Sequence, residues 1–280
     1  VANYPLLDLT STPANLNNIK YPMAGQKSEI SKVGVYNVST KKVIYLKTVK
    51  AKDDYLTNVS WSNDGKYILV AEVNRGQNHM KLNKYDGVTG NLIKTLFEEK
   101  NDKWVEPENP AYFINDNEFV WMSERDGFMN LYKYDINGKL IKQLTSNKWV
   151  TSSILGFDAS KKNLITTGTG DNPIDMNAFS VNLSTGNQTQ ITRISAVHST
   201  SLCGNGKYIL DNYSNLSTPR EIQILALNGE VKRTVLKAPN PLLGYKISKP
   251  EIETIKSADG STDLYMRIIK PSNFNPNKKY

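Results

Sequence analysis

Alternating apolar and polar residues, interrupted every few positions by Asn, Asp, Ser or Gly, run through most of this chain. Five stretches share one form: VGVYNVSTKKVIYL, LNKYDGVTGNLIKTL, LYKYDINGKLIKQL, FSVNLSTGNQTQIT and ILALNGEVKRTVL. In each, an alternating strand meets a polar turn that usually holds Gly, and a second alternating strand returns, the pattern of a β-hairpin. Taking Tyr36, Tyr85, Tyr134, Val181 and Leu225 as equivalent points, the copies recur at intervals of 49, 49, 47 and 44 residues. Spacing this regular predicts a repeated supersecondary unit.

A second hairpin precedes four of the five copies, in VSWSNDGKYILVAEV, AYFINDNEFVWMSE, LGFDASKKNLITTGT and TSLCGNGKYILDNY. The unit therefore has four strands. A twisted four-stranded sheet repeated in series covers its apolar faces with its neighbours, so the predicted fold class is all-β, a β-propeller portion built of antiparallel four-stranded blades. A sandwich also uses many short strands but does not predict this recurring order of turns. Full blades are expected near residues 56–97, 109–145, 153–192 and 198–237, with a half-blade at 31–47. Residues 1–30 read as an irregular lead-in from a missing upstream blade, with YPLLDL as one short strand, and 31–245 as the blades. From 246 to 280 the pattern changes to two strands flanking Asp259-Gly260, the start of a further domain. An open arc exposes apolar blade faces at its ends, which predicts self-association, as in a homodimer, unless missing blades cover them.

The chain has 280 residues and a net charge of +8. Its lysines are dispersed over turns and strand edges, and no nucleic-acid module accompanies them, so a solvated surface is expected and no nucleic-acid partner. Cys203 is the single cysteine, which excludes an internal disulfide and a cysteine-based zinc site. No run of about 18 apolar residues is present. The opening VANYPLLDLTSTP lacks the pattern of a secretory leader, so the expectation is a cytoplasmic protein or one whose leader has been removed.

Candidate chemistry is sparse. No G-x-S-x-G pentapeptide marks a hydrolase nucleophile. The two histidines, His79 and His198, fall on strands or their edges, far apart and without a nucleophile motif, so structural roles are expected and neither metal nor cofactor is implied. Glu98 and Glu99 are adjacent carboxylates able in principle to clamp an amine, but the segment reads as a solvated loop between blades. Gly168 and Gly170 lack the lysine and helix of a phosphate loop. The sequons at Asn37, Asn182 and Asn215 are expected by chance in an Asn-rich chain. The charged cluster Glu124, Arg125 and Asp126 falls between the second and third strands of a blade, where it is expected to form a turn whose charges pair with one another and with the backbone, with contact to a substrate cavity as the alternative.

The segment WMSERDGFMNLYKYD resembles the propeller motif S-E-R-D-G-x-x-x-L-Y-x-Y-D of dipeptidyl peptidase IV-type serine exopeptidases of the prolyl oligopeptidase clan, matched outright at Ser123, Glu124, Arg125, Asp126 and Gly127. Asn130 replaces a histidine common in the family. Tyr21 to Gly25 resembles its Y-P-x-A-G stretch, and RIIKPSNFNPNKKY its entry into the hydrolase domain. The resemblance implies the propeller region of an enzyme that removes N-terminal dipeptides, Xaa-Pro preferred, from peptide substrates. It implies a Ser-Asp-His triad in a downstream α/β-hydrolase domain, so these 280 residues alone are expected to be inactive. The acidic pair that binds the substrate amine precedes the Y-P-x-A-G stretch in the family, so Glu98 and Glu99 do not inherit that role. Tyr265 resembles the oxyanion-stabilising tyrosine, with a plain strand role left open, and Trp104 and Val105 resemble residues shaping the substrate cavity. The resemblance also implies export to a periplasm or cell surface. The alternative reading is a free-standing propeller acting as a binding scaffold.

Overall fold

A computed structural model describes residues 1–27, 29–48 and 53–280, and among them contains 22 strands and no helix. Strand contacts divide the chain into two compact units, 1–143 and 144–280.

The first unit opens with the hairpin β1 (Ala2–Asp8) and β2 (Asn15–Tyr21), in unbroken antiparallel register from Ala2 opposite Tyr21 to Asp8 opposite Asn15. Residues 2–21 are therefore a hairpin where irregular chain was expected, with the short strand expected at YPLLDL falling in β1. NLNNIKY carries three asparagines in place of apolar alternation, so its strand is invisible to hydrophobic pattern; backbone pairing and the Tyr4–Tyr21 ring contact at 5.7 Å hold it. The Asp8 carboxylate accepts bonds from the Thr10 N–H and hydroxyl at the turn. The expected half-blade follows as β3 (Gly34–Asn37) and β4 (Lys42–Tyr45).

Two full blades complete this unit. The first contains β5 (Tyr55–Trp61), β6 (Tyr67–Val73), β7 (His79–Asp86) and β8 (Leu92–Lys100); the second contains β9 (Tyr112–Asn115), β10 (Glu118–Ser123), β11 (Asn130–Asp135) and β12 (Leu140–Gln143). Each is a meander in which neighbours in sequence are neighbours in the sheet. Strand β6 shows why the apolar run YILVAEV is nearly continuous. Leu69, Ala71 and Val73 face the second blade, meeting Phe119, Trp121 and Tyr134, while Ile68 and Val70 face the half-blade side with Leu46 and Tyr85. Successive side chains of a strand point to opposite faces, so a sheet covered on both sides needs apolar residues at every position.

The second unit holds two more blades: β13 (Thr151–Phe157), β14 (Asn163–Gly168), β15 (Asn177–Asn182) and β16 (Gln188–Gln190), then β17 (Val197–Leu202), β18 (Tyr208–Ser214), β19 (Glu221–Ala226) and β20 (Val231–Lys237). They share a core of Ile165, Ala178, Ile191, Ile209 and Leu225. The hairpin β21 (Glu251–Lys256) and β22 (Asp263–Ile268) ends the strands of this unit.

The recurring glycine has a specific task in the packing of blades. In the turn after β11, Gly138 has φ +86° and lies so close to the preceding blade that an added Cβ would meet the Leu96 carbonyl oxygen at 2.3 Å. Gly186, after β15, has φ +81°, and an added Cβ there would meet the Leu144 carbonyl oxygen at 2.5 Å, within the second unit. A left-handed residue without Cβ lets one blade's turn rest on the edge of the one before it. The half-blade has no glycine there, and Lys41 takes the left-handed conformation instead, with φ 57°.

Candidate functional site

A cavity of about 440 Å³ opens in the first unit at the ends of β8 and β10. The end of β8 contributes Glu98, Glu99 and Lys100; the connection to the next blade contributes Lys103, Trp104, Val105 and Glu106; the β10–β11 turn contributes Ser123, Glu124, Arg125 and Gly127. The connection is pinned to the β6–β7 turn, because the Asn101 N–H donates to the Asn78 carbonyl at 3.1 Å and the Val105 N–H to the Gln77 carbonyl at 2.6 Å. That pinning buries Val105 and leaves the Trp104 indole 57% exposed at the cavity rim.

Arg125 forms the charged floor. Its Nε–H donates to the Ser123 hydroxyl at 3.1 Å, one Nη to the Tyr134 hydroxyl at 2.6 Å and the other to Glu99 at 2.5 Å. Glu99 in turn accepts the Trp121 Nε1–H at 3.0 Å and the Ser123 hydroxyl at 2.9 Å. The guanidinium lies 4.3 Å from the Tyr132 ring centre. Burial alone would lower the pKa of Arg125, but the Glu99 charge and the bonds to Tyr134 and Glu99 outweigh it and raise the pKa, so the side chain stays charged. Burial raises the Tyr134 pKa, so its phenol remains neutral. Beneath Tyr134 lies an aromatic stack, with Phe97 at 4.3 Å and Phe119 at 5.7 Å between ring centres.

Two expectations are corrected by this geometry. Glu98 and Glu99 are not on a solvated loop; they lie in β8 just before its last residue, where Glu98 bonds His79 at 2.7 Å and the Glu99 side chain is only 13% exposed. The turn charges also do not pair among themselves. Arg125 pairs with Glu99 of the neighbouring blade, whereas Asp126 accepts from Asn130 and Gln143. Adjacent residues in extended chain project in different directions, so a partner across a packed interface is reached more easily than the next residue along. Sequence reasoning favoured a turn role for Arg125, with contact to the substrate cavity as the alternative, and placed Glu99 on a loop. The signal available was the alternation Phe97–Glu99, which puts the carboxylate on the same face as a core aromatic.

Tyr265 and His198 are not among the residues lining this cavity. Tyr265 is on β22 in the second unit, half-exposed and paired opposite Thr254. His198 is buried on β17, with Nδ1 facing the Asp211 carboxylate at 2.8 and 2.9 Å and Nε2–H donating to the Ile194 carbonyl at 2.9 Å, a structural ion pair. Among the described residues no group of three or more His, Cys, Asp or Glu is arranged to hold a metal ion.

Comparison with known proteins points one way. The sequence model described as "Dipeptidyl peptidase IV (DPP IV) N-terminal region" matches residues 1–220. Dipeptidyl peptidase 4 of Trichophyton equinum is 24% identical over 94% of this chain, which covers 35% of that protein. The chain thus spans about a third of the length of the curated relatives it matches. A solved Bacteroides ovatus structure assigned as a dipeptidyl aminopeptidase IV superposes with TM-score 0.89 at 39% identity, over all of this chain and 43% of that one. Dipeptidyl peptidase 4 of Porphyromonas gingivalis superposes with TM-score 0.84 at 22% identity, over all of this chain and 40% of that one, a likeness of fold.

Proposed function

This chain belongs to the dipeptidyl peptidase IV N-terminal region family, and we propose that it is the part of a serine dipeptidyl peptidase that shapes the cavity in which peptides are held. The observation that carries the reading is the built cavity beside a charged Arg125, at the motif segment shared with that family. Within the reading, the Ser-Asp-His triad belongs to a hydrolase domain outside these 280 residues, of which β21 and β22 are the opening strands, and the present chain alone cleaves nothing. Trp104 and Val105 offer an indole face and a buried aliphatic wall to a substrate side chain. Tyr265 supplies a phenol O–H to the developing oxyanion, a donor that strengthens as charge builds on the oxygen. Substrates are peptides with Pro second from the N-terminus, and the enzyme acts in a periplasm or at a cell surface, as a homodimer.

The test is the full-length gene product assayed with a Gly-Pro chromogenic amide. Cleavage that releases the dipeptide is expected, with none from residues 1–280 alone. Trp104→Ala should raise KM several-fold with little change in kcat. Tyr265→Phe should lower kcat by roughly 10²–10³ and leave KM nearly unchanged, the signature of an interaction made only in the transition state. A full-length protein that binds peptides without cleaving them would support a scaffold role instead.

A further inference from the structure

Arg125 has five side-chain N–H groups, and three are engaged among the described residues: Nε–H with Ser123, one on a terminal nitrogen with Tyr134 and one with Glu99. The side chain is 30% exposed, and the space it borders is the cavity that Trp104 overhangs. Its geometry is fixed on three sides and its plane is held near the Tyr132 ring, so the two remaining N–H groups are directed without further loss of side-chain freedom. Glu99 accepts from Trp121, Ser123 and Arg125, and so acts as the group that holds Arg125 in place.

Resting on the peptidase reading above, we propose that Arg125 is a peptide-contacting residue, donating its two remaining N–H groups to an oxygen acceptor of the bound peptide, with Glu99 as its positioning residue. The acceptor is a main-chain carbonyl or an acidic side chain of the peptide; both offer the same planar oxygen chemistry to a guanidinium fork. Charge-assisted bonds of this kind correspond to roughly 10-fold or more in affinity.

The experiment uses the full-length protein and three peptides of the form Xaa-Pro-Xaa with Ala, Gln or Glu first. Binding is measured by calorimetry and cleavage by product release, for the wild type, Arg125→Gln, Arg125→Lys and Glu99→Gln. Arg125→Gln is expected to weaken binding about 10-fold or more, with Arg125→Lys intermediate and Glu99→Gln showing a smaller loss. A loss equal for all three peptides assigns the acceptor as main-chain carbonyl; a loss confined to the Glu peptide assigns it as the side-chain carboxylate. Thermal melting is followed in parallel. Unchanged peptide affinity in Arg125→Gln, with only a lowered melting temperature, overturns the proposal and leaves Arg125 a clasp between blades. Arg125-dependent binding without cleavage by the wild type overturns the peptidase reading alone, and no binding by the wild type overturns both.

Discussion

Replacing Asp211 with alanine would leave His198 without its counter-charge where water does not reach, since the two side chains are 1% and 0% exposed. The His198 ring is doubly protonated by geometry: the Ile194 carbonyl can only accept, so Nε2 carries a hydrogen, and the Asp211 carboxylate facing Nδ1 requires another. Asp211 also accepts the Gln223 side-chain amide at 3.0 Å, so its removal orphans two donors. Breaking a buried ion pair on one side costs about 3–5 kcal/mol. The pH dependence supplies a second reading. Burial pulls the His198 pKa down, but the bond to Asp211 and that to Ile194 outweigh it, and the net shift is upward. A histidine whose folded-state pKa is raised contributes stability that is complete below its unfolded value of about 6.5 and is lost as pH rises through the folded value. The wild type should therefore lose stability on moving from pH 6 toward pH 9. In Asp211→Ala the sign reverses, because a lone buried imidazole must be neutral and its protonation below about pH 6.5 destabilises the fold. Urea unfolding read from Trp149, stacked on Phe179 at 4.6 Å in the same unit, reports both effects. Histidine NMR on a chain with two histidines gives the titration directly. A wild type whose stability is flat from pH 6 to 9, together with a cost below about 1 kcal/mol at pH 6 for Asp211→Ala, would refute the ion-pair assignment.

Other outcomes follow from the same structure. Gly138→Ala should destabilise by about 3 kcal/mol or more, because it adds a clash with the Leu96 carbonyl to the left-handed backbone, whereas Gly127→Ala, at φ +98° with open space around it, should cost only about 1–2 kcal/mol; equal melting temperatures for the two would refute the close approach of the blades. Tyr85→Phe removes the hydroxyl that donates to buried Glu72, and an unfolding cost of about 1–3 kcal/mol is expected, with a neutral result arguing against a buried carboxylate there.

Blade architecture was written in the chain as pattern, because each strand reports on its own faces: the runs ILVA and FVWM are apolar at successive positions and the turns between them carry Asn, Asp and Gly. All four full blades occur within a few residues of their expected spans. The β1–β2 hairpin was legible only in part, since backbone pairing needs no apolar alternation and NLNNIKY has little. The recurring turn glycine was visible in sequence, but its reason was not. Gly138 is needed because of a carbonyl 42 positions earlier in the chain, at Leu96.

The cavity shows the same division more sharply. Trp104 and Val105 entered through resemblance to a family, and both line it. Arg125 and Glu99 stood in plain view as charged residues, 26 positions apart, and looked like turn and loop charges. Only the packing of the β9–β12 blade on the β5–β8 blade brings them together, by stacking Phe97 on Tyr134 and placing Trp121 Nε1 against the Glu99 carboxylate. Local pattern specifies which face of a strand is dry, because that depends on the two-residue period of the strand itself. Which charge meets which depends on a long-range apolar contact that no local period encodes.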